Sequence, residues 1–367
     1  METTATRIDI SADLYRHLVG ETPMPTLSEA KLRRLTEAIV VALGTPADLA
    51  QAVSDSLVGA NLAGHDSHGL LRLPWYARSV RSGRIIPTAR PLVAAYHGAT
   101  AEVDGAMGWG QPTARLAAET AIELARQHGV GAVVAKHCNH IGRVGDYVEL
   151  IARAGLIGMA LCNAGPAVAP FGGYQRLLGT NPFAWAAPAG AGREPLVLDF
   201  ATSMVAEGKL RVARAKGEPL PPGLIVDTDG RPSEDPGAFY AGGALQTFGM
   251  HKGSGMSVMI ELLARGLAGV DPLLPGTSGL NGTLMLALDI PAFAPAAQFE
   301  AAAARLSEQI TSAAPLAGFE RVLLPGEREV LTRQARQAGG IPIPDSTWAE
   351  IMALARELGL NENQEQP

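Results

Sequence analysis

Two apolar runs constrain this chain more than any other feature: Val130-Gly-Ala-Val-Val-Ala135 and Leu156-Ile-Gly-Met-Ala-Leu161. Neither alternates polar with apolar residues, which is the texture of strands covered on both faces. Each leads into a Cys-Asn pair, Cys138-Asn139 and Cys162-Asn163, a faint internal echo. Helical patterning precedes each run, over residues 111–128 and 146–154, so the stretch reads helix, strand, helix, strand. This predicts an α/β lobe, and the residues that follow such strands stand where α/β sheets bind ligands.

Further strands are expected at 92–96, 101–104, 183–187, 196–200 and 284–290, with helices at 203–216 and 254–266. Toward the N-terminus, apolar residues recur at helical spacing over 26–43, with Thr26 or Ser28 as the cap, and a second helix covers 46–63. Helices near 298–313, 328–338 and 346–358 close the chain and are expected to pack back onto the N-terminal ones. The expected organisation is a mainly helical domain from residues 1–88 plus 295–367 and a mixed α/β domain from 89–294.

Composition excludes several functions. With 5% aromatic residues, a formal charge of −6 and no run of Lys or Arg, the chain lacks the stacking rings and basic track of a nucleic-acid groove. An anionic ligand must then be captured by a few local cations. The first nine residues lack a charged-then-apolar signal pattern, and no uninterrupted apolar run approaches 18 residues, so neither a membrane span nor export is expected and the protein reads as cytoplasmic. The two cysteines, Cys138 and Cys162, read as buried thiols.

No G-x-G-x-x-G or G-x-x-x-x-G-K-[ST] pattern opens a helix, so a standard Rossmann fingerprint is absent. Four of the eight histidines lie in two short loops, His65-Asp-Ser-His68 and His137-Cys-Asn-His140. With Asp66, such pairs could ligate a metal in a hydrolase, but neither has a second carboxylate at short range. The other chemical reading makes His68 or His140 a general acid/base, with Arg72, four residues after His68, on the same helical face and able to hold a carboxylate. The plainest reading leaves the histidines capping helices and Arg72 solvated. Asp199-Phe-Ala-Thr-Ser203 could receive a ribose or phosphate, or cap the helix that follows. Gly249-Met-His-Lys-Gly-Ser-Gly255 places His251 and Lys252 in a glycine-rich turn, where a cation and free amides could meet a pyrophosphate.

Together these segments resemble the type-2 malate/L-lactate dehydrogenase family, also called sulfolactate dehydrogenase-like. The resemblance is carried, in order, by His65-Asp-Ser-His-Gly-Leu-Leu-Arg72, Asn139-His-Ile-Gly142, Gly179-Thr-Asn-Pro182, Asp199-Phe-Ala-Thr-Ser203, His251-Lys-Gly-Ser-Gly255 and Leu324-Pro-Gly-Glu-Arg328. It implies a mixed-sheet, non-Rossmann NAD(P)-binding α/β fold, a homodimer, no metal, and hydride transfer between NAD or NADP and a small-molecule 2-hydroxy or 2-oxo carboxylate. Reduction of a cyclic imino acid is the alternative within the family. By motif, the resemblance makes Ser67, His68, His140 and Arg72 the catalytic set, with either histidine as the proton carrier. It makes Asn163, Pro195, Leu196, Val197, Leu198, Asp199, Phe200, Ala201, His251, Lys252, Gly326, Glu327 and Arg328 cofactor contacts. Arg143 is a candidate second anion anchor suited to a dicarboxylate, or a solvated loop charge. The loop Ala215-Lys-Gly-Glu-Pro-Leu-Pro-Pro-Gly223 looks most like the hydroxycarboxylate dehydrogenase branch.

Overall fold

The computed structural model describes residues 25–190, 192–269 and 280–360. The chain begins with β1 (Thr26–Leu27), α1 (Glu29–Ala42), α2 (Ala47–Leu62) and α3 (Leu73–Arg81). Ser28 caps α1, its hydroxyl accepting from Lys31 N at 3.3 Å. The α/β part follows, with β2 (Leu92–His97), β3 (Thr100–Asp104), α4 (Gly110–His128), β4 (Val130–Cys138), α5 (Gly145–Arg153), β5 (Ile157–Cys162), β6 (Phe183–Ala187) and β7 (Leu196–Phe200). Next come α6 (Glu207–Lys216), β8 (Ile225–Val226), β9 (Pro232–Ser233), α7 (Pro236–Tyr240), β10 (Ala244–Leu245), α8 (His251–Ile260) and β11 (Asn281–Leu288). The chain closes with α9 (Ala296–Thr311), α10 (Glu327–Gly339), β12 (Ile341–Pro342) and α11 (Asp345–Glu357).

Seven strands form one mixed sheet in the order β2-β3-β4-β11-β5-β6-β7. Only β3 and β4 run parallel among its neighbours; the remaining pairs are antiparallel. The two apolar runs become β4 and β5, and they do not touch: β11, arriving from far along the chain, fits between them. Their lack of alternation has the expected cause. Val133, Ala135, Ala160 and Cys162 join a core with α4 and α5, while Val134 and Leu161 face the opposite core with Ile260 and Ala264. Burial on both faces removes any need for a polar side.

A second core ties the two ends of the chain together. Leu32, Ile39, Val53, Leu57, Leu70 and Tyr76 pack with Ile341, Ile343, Ile351 and Leu354, and Trp109 closes the cluster from the start of α4. A third, smaller core holds α6 and α7 against β8 and β10, with Val168 and Leu178. Helix α9 stands apart from the helical core: Gly190 approaches Glu300 and Ala304, and Arg193 pairs with Glu308 at 2.7 Å.

Three expected boundaries move. The helix placed at 203–216 starts at Glu207, because Ser203 Oγ turns to Val205 O and Ala206 holds the cap position. The helix placed at 254–266 starts at His251 and widens into a π-turn over Glu261–Gly266. The strand placed at 284–290 runs Asn281–Leu288, since Asp289 N leaves the ladder for Gly129 O at 2.9 Å. No helix among the described residues is long and apolar enough to cross a membrane.

Candidate active site

The first histidine loop is shaped by Asn61, near the end of α2. Its Oδ1 accepts from Leu70 N at 2.9 Å, and its Nδ2 donates to Asp66 Oδ1 at 2.6 Å. The chain beside it makes two short turns, Asp66–His68 and Leu70–Arg72, broken at Gly69. A side chain at Gly69 would place its Cβ 2.1 Å from Asn61 Oδ1, so the close approach demands glycine. The continuous helix expected to align His68 with Arg72 is therefore absent. Arg72 reaches the same place by folding back, its Nε donating to Ser67 O at 2.7 Å.

Asp66 is fixed from the far end of the chain. Arg336 of α10 donates to both its oxygens, at 2.6 and 3.1 Å, and also to Asn61 O. His65 is held by Glu329 at 3.3 Å and His137 by Asp104 at 3.0 Å. Among the described residues, no three His, Cys, Asp or Glu side chains converge as metal ligands.

The second loop leaves β4 at Asn139, whose Nδ2 donates to Met107 O at 3.0 Å and Gly108 O at 2.9 Å. This anchors His140 opposite His68. The two rings stack at 5.7 Å between centroids and 14° between planes. Each ring's Nδ1 meets a hydroxyl: Ser67 Oγ lies 3.0 Å from that of His68, and Tyr76 Oη lies 2.8 Å from that of His140. Gln111 Nε2 donates to the Tyr76 hydroxyl at 2.6 Å, and Trp75 sets its ring edge-on to His140 at 5.9 Å. Neither Nε2 has a partner among the described residues. Arg72 has no carboxylate within ion-pair distance among them.

Both histidines are pushed toward the neutral form. Burial and then the Arg72 cation hold His140 at about 3, and burial followed by Arg72, His140, His65 and Arg143 holds His68 well below its ordinary 6.5. Burial also lowers Arg72 and raises Tyr76. At neutral pH the site is two uncharged imidazoles beside a guanidinium.

Acid stability follows from these shifts. The unfolded chain protonates its histidines first, near 6.5, while folded His140 waits until about 3. Stability is therefore intact above pH 6.5 and falls on acidification through that window, by at most about 1.4 kcal/mol per pH unit for each histidine. Melting at pH 7 and pH 5 should show a smaller acid-induced drop in Tm for His140→Asn than for the unchanged protein. Equal drops would show that His140 is not a source of the acid sensitivity.

The expected cofactor contacts meet along β7, an edge strand. Val197 N donates to Pro325 O at 3.1 Å, and Gly326, at φ +84°, comes so near Val197 that a Cβ would lie 3.1 Å from its backbone. At the other end of the strip, Phe248 N donates to Thr202 O at 3.0 Å, which brings His251 and Lys252 alongside. Leu196 and Phe200 bound the strand, Pro195 and Ala201 flank it, and Leu198 is exposed. Arg328 is exposed and lies close enough to Lys209 to help burial lower that lysine, with no acid in ion-pair range of either among the described residues. Two adjacent cations without a counter-ion are the electrostatics of an anion site.

Other expectations need correction. Arg143 is neither a free anion anchor nor solvated: its side chain is 2% exposed and lies 2.8 Å from Asp146, 3.6 Å from Glu149 and 3.7 Å from Asp199. Asp199 also accepts from Gly145 N at 2.8 Å, so it is a joint between β7 and α5 and does not cap α6. The amides of Lys252, Gly253 and Ser254 are not free, since they donate to Gly249, Phe248 and Met250. Asn163 is buried, its Oδ1 taken by Gly282 N at 2.6 Å. Glu327 Oε2 accepts from Leu324 N at 2.9 Å and so closes the turn ahead of Arg328. Gly208, in the first turn of α6, packs so closely on Ser67 that a Cβ would lie 2.9 Å from the serine's.

Comparison with known proteins agrees with this architecture. The family model described as malate/L-lactate dehydrogenase matches residues 27–352. Hydroxycarboxylate dehydrogenase B of Escherichia coli K12 is 36% identical over 340 residues, covering 90% of this chain and 94% of the relative. The sulfolactate dehydrogenase structure from Methanocaldococcus jannaschii superimposes with a TM-score of 0.84 at 34% identity, covering 93% of this chain and 99% of that one. A Δ1-piperideine-2-carboxylate reductase structure from Pseudomonas syringae gives 0.80 at 35% identity, covering 90% and 100%. The sheet order, the facing histidines and these likenesses lead to one statement: the chain belongs to the malate/L-lactate dehydrogenase family.

Proposed function

We propose that the protein is an NAD(P)-dependent dehydrogenase that interconverts a 2-hydroxy acid and the corresponding 2-oxo acid. The observation that carries this reading is the pair of neutral, stacked imidazoles, their Nε2 atoms without a partner among the described residues, beside the Arg72 guanidinium, which has no carboxylate in ion-pair range among them. A guanidinium is matched to a carboxylate by its planar fork, and an imidazole beside it reaches the oxygen on the adjacent carbon.

The cofactor region fits a dinucleotide on this chain's own residues. Gly326 admits backbone close to the β7 edge, and Arg328 with Lys209 supplies charge for a phosphate. The nicotinamide ring supplies hydride acceptance and donation when bound. Ser67 sits against the first turn of α6, the helix that carries Lys209, so the histidine loop and the cation pair share that helix start. Arg72 orients the carboxylate, Trp75 stands edge-on beside His140, and His68 and His140 bring proton-carrying nitrogens to the substrate oxygen.

The test is oxidation of NADH and of NADPH, followed at 340 nm against pyruvate, oxaloacetate, 2-oxoglutarate, phenylpyruvate and a cyclic imino acid. Turnover of a 2-oxo acid is expected. Silence on the whole panel would end the dehydrogenase reading, and turnover of the imino acid alone would move it to the reductase branch. The assembly we propose is a homodimer. Exposed Met256, Met259, Leu262 and Leu267 on and after α8 form apolar surface of the kind that a second copy covers. Light scattering of the purified protein at the mass of one chain would rule the dimer out.

A further inference from the structure

Gln111 lies in the first turn of α4, buried, and its side-chain hydrogen bond goes to Tyr76, which meets His140. A phenol has one proton to give. With the Tyr76 oxygen already accepting from Gln111 Nε2 at 2.6 Å, that proton is directed to His140 Nδ1, 2.8 Å away. Gly142 N also points to this nitrogen, at 3.4 Å. Two donors aimed at Nδ1 make it an acceptor, and a neutral imidazole then carries its hydrogen on the other nitrogen.

We propose that Gln111 is a positioning residue of this site: it sets the direction of the Tyr76 hydroxyl and thereby keeps the His140 proton on Nε2, the nitrogen without a partner among the described residues. The opposite polarity is chemically complete. If the amide were turned over, Gln111 Oε1 would accept the Tyr76 proton, the Tyr76 oxygen would accept from Nδ1, and Nε2 would become a bare acceptor. Burial does not favour that arrangement. Oε1 is a buried oxygen without a partner, and turning the amide would put an unpartnered amide nitrogen in its place. The Gly142 amide opposes the reversal, since it would face an N–H.

The consequence, which rests on the dehydrogenase reading, concerns direction. With a hydrogen on Nε2, His140 offers a hydrogen bond to the carbonyl oxygen of a 2-oxo acid before any hydride moves. A 2-hydroxy acid meets the same nitrogen already protonated. On His140 the resting site thus offers a donor to a carbonyl oxygen and no acceptor to a hydroxyl, and a buried amide remote from the substrate sets this.

The deciding measurement is 15N NMR of the histidine rings at neutral pH, with His140 assigned by its loss in His140→Asn. The unchanged protein should show His140 protonated at Nε2 and bare at Nδ1. In Gln111→Met, a side chain of similar length with no group to donate, nothing directs the Tyr76 hydroxyl to His140, so a proton on Nδ1 should appear. Reductive kcat should fall by roughly 10²-fold or more while the Kd for NADH and NADPH, read by fluorescence, stays the same. An Nδ1 proton in the unchanged protein would overturn the proposal even if the variant failed to fold. A tautomer unchanged in Gln111→Met would overturn it as well. Absence of turnover with every acid in the unchanged protein would instead overturn the dehydrogenase reading, and the tautomer result would stand apart from it.

Discussion

Replacing Arg72 with leucine should raise the KM for a 2-oxo acid and lower kcat/KM by about 10²- to 10⁴-fold, the range expected when one partner of a desolvated charge pair is removed. The Kd for the dinucleotide should change little, because the expected cofactor contacts lie along β7 and the turn at residues 324–328. A second effect separates this prediction from simple loss of binding. Arg72 is the next cause after burial that depresses both His68 and His140, so its removal should lift His140 from about 3 toward 6.5. Arg72→Lys keeps a cation without the planar fork; it should preserve the low histidine pKa while recovering only part of the carboxylate affinity. An unchanged KM in Arg72→Leu would remove this residue from substrate anchoring.

The other large effect belongs to the imidazoles. His140→Asn and His68→Asn should each lower turnover by roughly 10²- to 10⁴-fold, the usual contribution of a positioned acid or base. The rings face each other at 5.7 Å and share the influence of Arg72, so the losses should not add. If they act as one unit, the double variant will be about as slow as the worse single one. A single variant with nearly full turnover would identify its histidine as a structural neighbour of the other.

Much of the fold was legible because burial leaves a local mark. Strands β6 and β7 fall on the expected residues, and the runs that became β4 and β5 lack alternation because both their faces are covered. The insertion of β11 between them left no such mark, since the neighbour of a strand is not encoded in the strand's own pattern. The site divided in the same way. The histidine loops stood out by residue type, whereas Tyr76, Gln111 and Asn61 act through partners 64, 35 and nine residues away. One signal was available: Trp75-Tyr76 is an aromatic pair directly after the Arg72 segment in a chain with only 5% aromatic residues. Arg143 failed for a different reason: Asp146 stands only three residues on, but burial of the guanidinium against Asp199 of β7, 56 positions away, is not marked in its own loop.

The clasp on the first histidine loop spans almost the whole chain: Glu329 reaches His65 across 264 positions and Arg336 reaches Asp66 across 270. A polypeptide still leaving the ribosome therefore displays its histidines long before anything holds them in place. Contacts so distant in sequence close late, after the local helices and hairpins have formed. The reaction centre is completed only once α10 has been made, and a chain released before α10 would carry the residues of the site without these two restraints.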